Sequence, residues 1–594
     1  MVSNSEHRAA SHSKQLKLLP QLDPGRPPVW NYLCSDRALT YVLLLPVLYV
    51  LVAFVLYPSF KTLWESFFTK DGAFGLTNYA HFFGAETGTY LEALWNSVYI
   101  SVLSVIFSAC VGVPLAFIFN RYQFPGRSFF ATAAIMPIVL PSLVGVMSFM
   151  FLYGETGLIP SALKDLFHLD NVPFSIGGVS GILLVHTYTM YVYFYMTVSA
   201  TINNIDPALE EAAYNLGANR VTVFFKVTLP LLTPALVAGS LLVFMTSMAS
   251  FSAPFMLAGG YRVLSLQIYF AKMNGDLEMA AAQSVVLSVI SISFLLFMRW
   301  YQGLRDYQVT TKGVSGHRSE VSNPWLKWSL VTFGIVLLVV LLLPHLTIIV
   351  LSLVPEGTWT WQTYPTVFNF DNYRSLMEDP TIWEPVKNSL WMATIATVCN
   401  FLFGLLVSYL LVKRKFVGKN AVDILVMLPW ALPATVVAMN LIFAFNTKTP
   451  FALGNVLVGT FWILPLAYFV RHIPLVVRST NAALEQVDDS LEEAARNLGA
   501  KWFYTFRRVI FPLILPGLMA GTLLAFVTAV GEFVSSVLLY TISNRPISIE
   551  IMNQLRMSNL GQASAYAVYQ IVLIAAVLFI SNKFFGVKGE QPLL

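Results

Sequence analysis

Asp206-Pro207-Ala208-Leu209-Glu210-Glu211-Ala212-Ala213-Tyr214-Asn215-Leu216-Gly217-Ala218 is written a second time, 282 residues on, as Asp488-Asp489-Ser490-Leu491-Glu492-Glu493-Ala494-Ala495-Arg496-Asn497-Leu498-Gly499-Ala500. The first copy continues through Phe224 to Leu229-Pro230, the second through Phe506 to Phe511-Pro512. Asp206 suits an N-cap and Pro207 the first helical turn. In the second copy Ser490 with Glu493 has capping-box spacing. Glu210, Glu211, Glu492 and Glu493 fall near the helix start, where the macrodipole favours negative charge. Ala212-Ala213 and Ala494-Ala495 leave one face thin enough for close approach of another protein. Gly217 and Gly499 permit positive φ and so a turn into a second short helix. Pro230 and Pro512 are expected to stop that second piece. Read alone, one copy is an ordinary capped amphipathic helix. Two copies at equivalent places need a different account.

The duplication extends well beyond the loop. Asn96-Ser97 recurs as Asn388-Ser389, Met136–Pro141 as Leu428–Pro433, and Gly126 as Gly418, all at an offset of 292. The offset then falls to 282, so the first half carries an insertion, assigned to 154–175. Between the repeats the chain is strongly apolar. Hydrophobic residues make up 56% and charged residues 11%, against about 25% charged in soluble domains, and mean hydropathy is +0.67. Crossing hydrocarbon as helix takes about 20 apolar residues. The reading is an all-α polytopic membrane protein with about twelve spans in two tandem homologous six-helix halves. The spans are placed at 38–60, 97–119, 128–153, 176–200, 234–258 and 282–303, then 327–354, 389–412, 421–445, 452–471, 514–541 and 565–586. The fourth and tenth carry polar or proline interruptions.

Orientation follows from lysine and arginine, which favour cytoplasmic loops. With the N-terminus inside, most of the 36 Lys and Arg fall on the inner face, among them Arg8, Lys14, Lys17 and Lys413-Arg414-Lys415. Both termini are then cytoplasmic, and both repeated loops share that face. Residues 1–37 form a polar tail, broken by Pro24-Gly25-Arg26-Pro27-Pro28, with no cleavable signal. The first half spans 38–304 with its loop at 205–230, the linker 305–326, the second half 327–587 with its loop at 487–512, and the C-terminal tail 588–594. An even number of spans per half gives both halves one orientation, related by an axis along the membrane normal. Cys34, Cys110 and Cys399 form no CxxC pair, so neither zinc nor a disulfide framework is indicated.

The pattern Glu-Ala-Ala, three residues, Gly, then a hydrophobic-Pro step resembles the signature loop of binding-protein-dependent ABC importer permeases of the type I fold. The likeness covers nearly the whole chain. It implies that each loop is a coupling helix docking on a cytoplasmic ATPase homodimer, through Glu210, Glu211, Ala212, Ala213 and Gly217 for one copy and Glu492, Glu493, Ala494, Ala495 and Gly499 for the other. It also implies an extracytoplasmic solute-binding protein, a bacterial inner membrane, and no nucleic-acid partner. The chain itself has no Walker A loop, since Gly418-Lys419 is followed by Asn420. It therefore carries no cofactor, and ATP and Mg belong to the partner. No catalytic constellation, HExxH or His/Cys metal cluster is present, so a membrane enzyme is disfavoured. His186 and His345 read as structural polar groups.

The spans after each loop are expected to line the path in such permeases. That points to Ser250, Phe251 and Ser252 in the first half and Glu532, Phe533, Ser535 and Ser536 in the second. Glu532 is a carboxylate inside a span, which is costly unless it faces protein or water. Its two readings, a path residue and a partner of a neighbouring helix, stay open. Tyr188, Tyr191, Tyr193 and Tyr195 read as core packing before cavity lining. An ion-coupled carrier also has two six-helix halves, but such carriers hold several buried ionisable residues. The fused two-half form resembles ferric-iron permeases, with relatives for thiamine, phosphonate or sugar phosphate, and polyamine.

Overall fold

The computed structural model describes residues 36–84, 88–303, 319–358 and 364–585. The tail through residue 35 with Cys34, most of the linker, and the C-terminal tail at 588–594 lie outside the described residues. Nine described helices are long and apolar enough to cross a membrane, ten if Lys419–Ala431 and Ala434–Phe445, bent by 111°, count as one span. Two further helices, one at the fourth expected span and one overlapping only the end of the tenth, are more polar than these nine. The first of these, Gly178–Asn204, matches its expected position.

The tenth expected span, 452–471, is displaced: the helix runs Ile463–Glu485. Gly454 and Gly459 take φ of +77° and +85°, which turns the apolar stretch before Ile463 back on itself. Arg471, expected at the end of that span, lies inside the helix.

We label the elements that build the site: α1 (Thr89–Arg121), α2 (Gly178–Asn204), α3 (Pro207–Asn215), α4 (Leu229–Met248) and α5 (Ser252–Leu257), with second-half equivalents α6 (Pro380–Lys413), α7 (Ile463–Glu485), α8 (Asp489–Asn497), α9 (Phe511–Val530) and α10 (Val534–Leu539). Each half is centred on a tight trio, α1, α2 and α4 or α6, α7 and α9. Lipid gives no hydrophobic gain for helix association, so close approach has to come from small residues. A Cβ at Gly112 would come within 2.4 Å of the Tyr191 carbonyl, and one at its equivalent Gly404 within 2.5 Å of Val476.

The repeated Asn-Ser pair has a repeated task. Asn96 Nδ2 donates to Arg262 O (3.0 Å) and Asn388 Nδ2 to Arg545 O (3.2 Å). Ser97 Oγ accepts from Leu264 N and Ser389 Oγ from Ile547 N, both at 2.8 Å. Each pair thus satisfies backbone groups where a short helix begins inside apolar surroundings, where an unmet donor is expensive.

The halves are also exchanged. Tyr57–Glu65 of the first packs against Ala434–Phe445 of the second, and Pro324–Ser352 of the second against Ser142–Tyr153 of the first. Asn440 Nδ2 to Ser59 Oγ (3.2 Å) and Tyr188 Oη to Leu341 O (2.7 Å) bridge them. A two-residue parallel pairing, Tyr122-Gln123 with Ser319-Glu320, ties the end of the linker to the first half.

Candidate functional site

The two Glu-Ala-Ala loops share one backbone. Asp206 accepts from Ala208 N and Asp488 from Ser490 N, both at 2.9 Å. The capping box expected at Ser490 and Glu493 is therefore not the cap of the second helix. Asp488, two residues upstream, has the extended backbone and the free carboxylate that the position rewards. Gly217 and Gly499 take φ of +84° and +83°. Ala218 N donates to Ala213 O and Ala500 N to Ala495 O, closing a Schellman motif in each copy.

Pro230 and Pro512 do not stop the next helix, which runs unbroken over Arg220–Met248 and Trp502–Val530. A five-residue π-turn, Phe224–Thr228 or Phe506–Ile510, precedes each proline. The wider turn takes up the ring and the missing N–H that a regular α-turn cannot accommodate.

Burial divides the loop residues. Glu211, Ala212, Glu493 and Ala494 are exposed, and Ala213 and Ala495 are half-buried. Beside them stand exposed apolar side chains, Leu209 and Leu216 in one copy and Leu491 and Leu498 in the other. Glu210 points inward instead. Both of its oxygens pair with the Arg121 guanidinium at the end of α1, and one also accepts from Thr228 Oγ1 at 2.6 Å. Burial works to raise the Glu210 pKa, but these bonds and the Arg121 charge outweigh it and hold the carboxyl below its ordinary value. Glu492 pairs with Arg496 on its own helix at 2.8 Å. Both acids are thus held within the permease, whereas Glu211 and Glu493 are exposed.

A cavity of about 540 Å³ lies between the halves, lined by α2, α4 and α5 on one side and α7, α9 and α10 on the other. Ser250, Phe251, Ser252, Glu532 and Phe533 all line it. Ser535 and Ser536 are not among the lining residues; both are fully buried, and Ser536 Oγ bonds Tyr468 Oη at 2.7 Å. Ser250 and Glu532 occupy equivalent breaks, between α4 and α5 and between α9 and α10. Phe251 and Phe533, also equivalent, meet across the halves with ring centroids 5.9 Å apart.

Glu532 lines the cavity, and it pairs with Arg471 of α7 at 3.0 Å while accepting from Ser535 N. Tyr188, Tyr191 and Tyr195 donate to the backbone carbonyls of Leu341, Ala134 and Ala131 as core residues. Tyr193 lines the cavity.

Arg471, His472 and Arg478 of α7 line the cavity as well, with His186 of α2. Sequence reasoning found none of these as lining residues. Misplacing the tenth span hid the arginines, and His186 was read only as structural. A signal existed: Arg471 and Arg478 are seven residues apart, hence on one helical face, in an otherwise apolar stretch. The site thus holds more ionisable groups than the single carboxylate expected.

Residues 108–307 and 400–585 each match the family described as binding-protein-dependent transport system inner membrane component. The chain is 27% identical to the probable ABC transporter permease protein y4fN of Sinorhizobium fredii, over 92% of this chain and 97% of that one. It is 27% identical to the ferric transport system permease protein FbpB of Actinobacillus pleuropneumoniae, over 90% of this chain and 77% of that one. A bacterial ABC transporter involved in import of the acidic polysaccharide alginate aligns over 45% of this chain and 96% of its own, at 18% identity and a TM-score of 0.36. Two matched segments, one in each half, cover most of the chain, and the transport role they carry is that of a subunit and not of an enzyme. The chain belongs to the family of binding-protein-dependent transport system inner membrane components, as the permease of an ABC importer with both halves in one polypeptide.

Proposed function

We propose that the 540 Å³ cavity is the translocation path, and that the two Glu-Ala-Ala helices couple it to an ATPase dimer carrying ATP and Mg. The observation that carries this reading is the pair of outward-facing surfaces. Glu211-Ala212 with Leu209 and Leu216, and Glu493-Ala494 with Leu491 and Leu498, are exposed beyond matching glycine turns. A charged residue, a thin alanine and exposed leucines suit a groove on a partner protein. Glu210 and Glu492 then act as positioning residues inside the permease. The halves at 38–304 and 327–587 rock about Phe251 and Phe533, an aromatic contact that closes the path between them. The protein works in a bacterial inner membrane with both termini cytoplasmic, receiving its cargo from an extracytoplasmic binding protein. The cargo proposed is ferric iron, the solute named for the FbpB relatives.

Gly217→Leu and Gly499→Leu test the coupling. A β-carbon in the left-handed region costs about 1–2 kcal/mol and should swing the loop off its bearing. Uptake of radioactive iron by vesicles holding the permease, its ATPase and its binding protein should fall at least tenfold, with ATPase binding weakened or hydrolysis idling. Wild-type uptake in both variants would refute the coupling role.

A further inference from the structure

The titratable side chains lining the cavity are Arg471, Arg478, Glu532, His186, His472 and Tyr193. The single carboxylate is already engaged, by Arg471 at 3.0 Å and by the Ser535 amide. Arg478 is exposed, and its Nε faces only the Met427 sulfur, at 3.2 Å. No carboxylate lies within ion-pairing distance of Arg478 among the described residues. His472 is buried. The facing wall, from the first half, carries no carboxylate, arginine or lysine; its hydroxyls are engaged, Thr189 and Thr246 donating to Val185 O and Leu242 O of their own helices, Ser250 bonding His186 and Ser252 bonding Ser142.

A hard cation needs several oxygen ligands of negative charge, and this cavity has one, already paired. A guanidinium with no carboxylate in reach is instead the chemistry of oxyanion recognition. We propose that the cavity takes a cargo presenting an oxyanion, free or as the ligand shell of a metal ion, held at Arg478. The inference rests on the permease reading and adds the charge of the passing species. A ferric ion then crosses inside an anionic shell and not bare.

The test reads the cavity's charge directly. In the full chain in nanodiscs, with Cys34, Cys110 and Cys399 changed to Ser, Thr246→Cys provides one lining thiol. Its modification by sulfonate-bearing and trimethylammonium-bearing methanethiosulfonates is measured, each rate normalised to that with free cysteine. The sulfonate should react at least fivefold faster. Arg478→Met should bring the ratio near one, and Arg478→Lys should keep most of it. Equal or faster cationic modification, or a ratio unmoved by Arg478→Met, overturns the proposal. Protection separates the two sources: slowing by sodium phosphate identifies a free oxyanion, and slowing by ferric citrate with no effect of phosphate or citrate identifies a metal's ligand shell. Protection by none of them overturns the proposal. Labelling needs neither ATPase nor uptake, so its failure is distinguishable from failure of the coupling test at Gly217 and Gly499.

Discussion

In the first half, α3 hangs from Arg121, whose guanidinium grips both oxygens of Glu210 while Thr228 donates to one of them. In the second half each of these positions differs in identity or in use. Lys413 stands in place of Arg121 and reaches Val487 O and Asp489 instead of Glu492. Ile510 replaces Thr228, and Arg496, in place of Tyr214, draws Glu492 along its own helix. An aromatic cluster does the holding there: Trp502 stacks on Phe506 with centroids 5.7 Å apart and donates to Tyr409 Oη at 2.5 Å. Yet the two glycine turns agree within a degree in φ. Shape has been kept while the chemistry that fixes it has changed from buried charge to stacked rings. The cavity walls divide in the same way. Arg471 and Glu532 form an ion pair where the first half has Thr189 and Ser250. Under the proposed coupling role, an ATPase dimer would meet two like shapes with unlike attachments.

The largest effect should come from breaking the cavity pair. Arg471→Met leaves Glu532, which is 8% exposed, without its cation, at a cost of about 3–5 kcal/mol. Thermal unfolding in detergent should fall by several degrees, and Arg471→Met with Glu532→Gln together should recover most of it. Thr189→Val in the first half should cost under about 1 kcal/mol, because its hydroxyl bonds back only to carbonyls of its own helix, Val185 O and His186 O. Equal losses at 471 and 189 would break the comparison. Next comes Arg121→Met. Arg121 keeps a third of its side-chain surface exposed, so loss of its pair with Glu210 should cost about 2–3 kcal/mol, below the fully buried case. Lys413→Met removes a pair whose acid is 81% exposed and should cost under about 1 kcal/mol. Amide hydrogen exchange over 207–217 and 489–499 reads the two separately. A larger loosening of the second loop would reverse the argument.

Local rules made much of this visible in the sequence. Asp206 and Gly217 act through their own backbones, so their roles follow from residue type and spacing. The Asn96-Ser97 repeat marked its own importance, and its task became clear only once Leu264 and Arg262 were beside it. The misreadings came from compensation that residue type and spacing do not reveal. Pro230 looked like a stop because its spacing gives no sign of the π-turn that accommodates it. Arg471 looked like a span end because its partner, Glu532, is far along the chain. Glu210 looked like its neighbour Glu211, and only the placement of Arg121 separates an inward acid from an outward one.

The aromatic attachment gives an effect below that of Arg121→Met. Trp502→Ala loses one stacked ring, worth about 0.5–1.5 kcal/mol, and one hydrogen bond of about 1 kcal/mol. Limited proteolysis near 500 should speed up several-fold. Arg220→Ala at the equivalent exposed site should leave proteolysis near 218 unchanged, within about 0.5 kcal/mol. A faster cut near 218 would place the first loop's anchor elsewhere than Arg121.

The smallest expected effect is on pH, and it again separates the loops. The Glu210 carboxyl is held below its ordinary pKa, so folding of this contact favours the ionised form. Its contribution is then full above the unfolded value of about 4.3 and is lost as pH falls through the lower folded value. Protection of the amides at 207–217 should therefore persist from neutral pH down through the ordinary carboxylate range and drop only below it. Glu210→Gln should remove that acid step. The Trp502 cluster has no charge to titrate, although Asp488 is also held low by the Ser490 amide and its cap should fray over a similar acid range. Protection around Trp502 to Phe506 should accordingly outlast that of 207–217 on acidification. If both segments loosened together, the first loop would not depend on Arg121 and Glu210 in the way its geometry indicates.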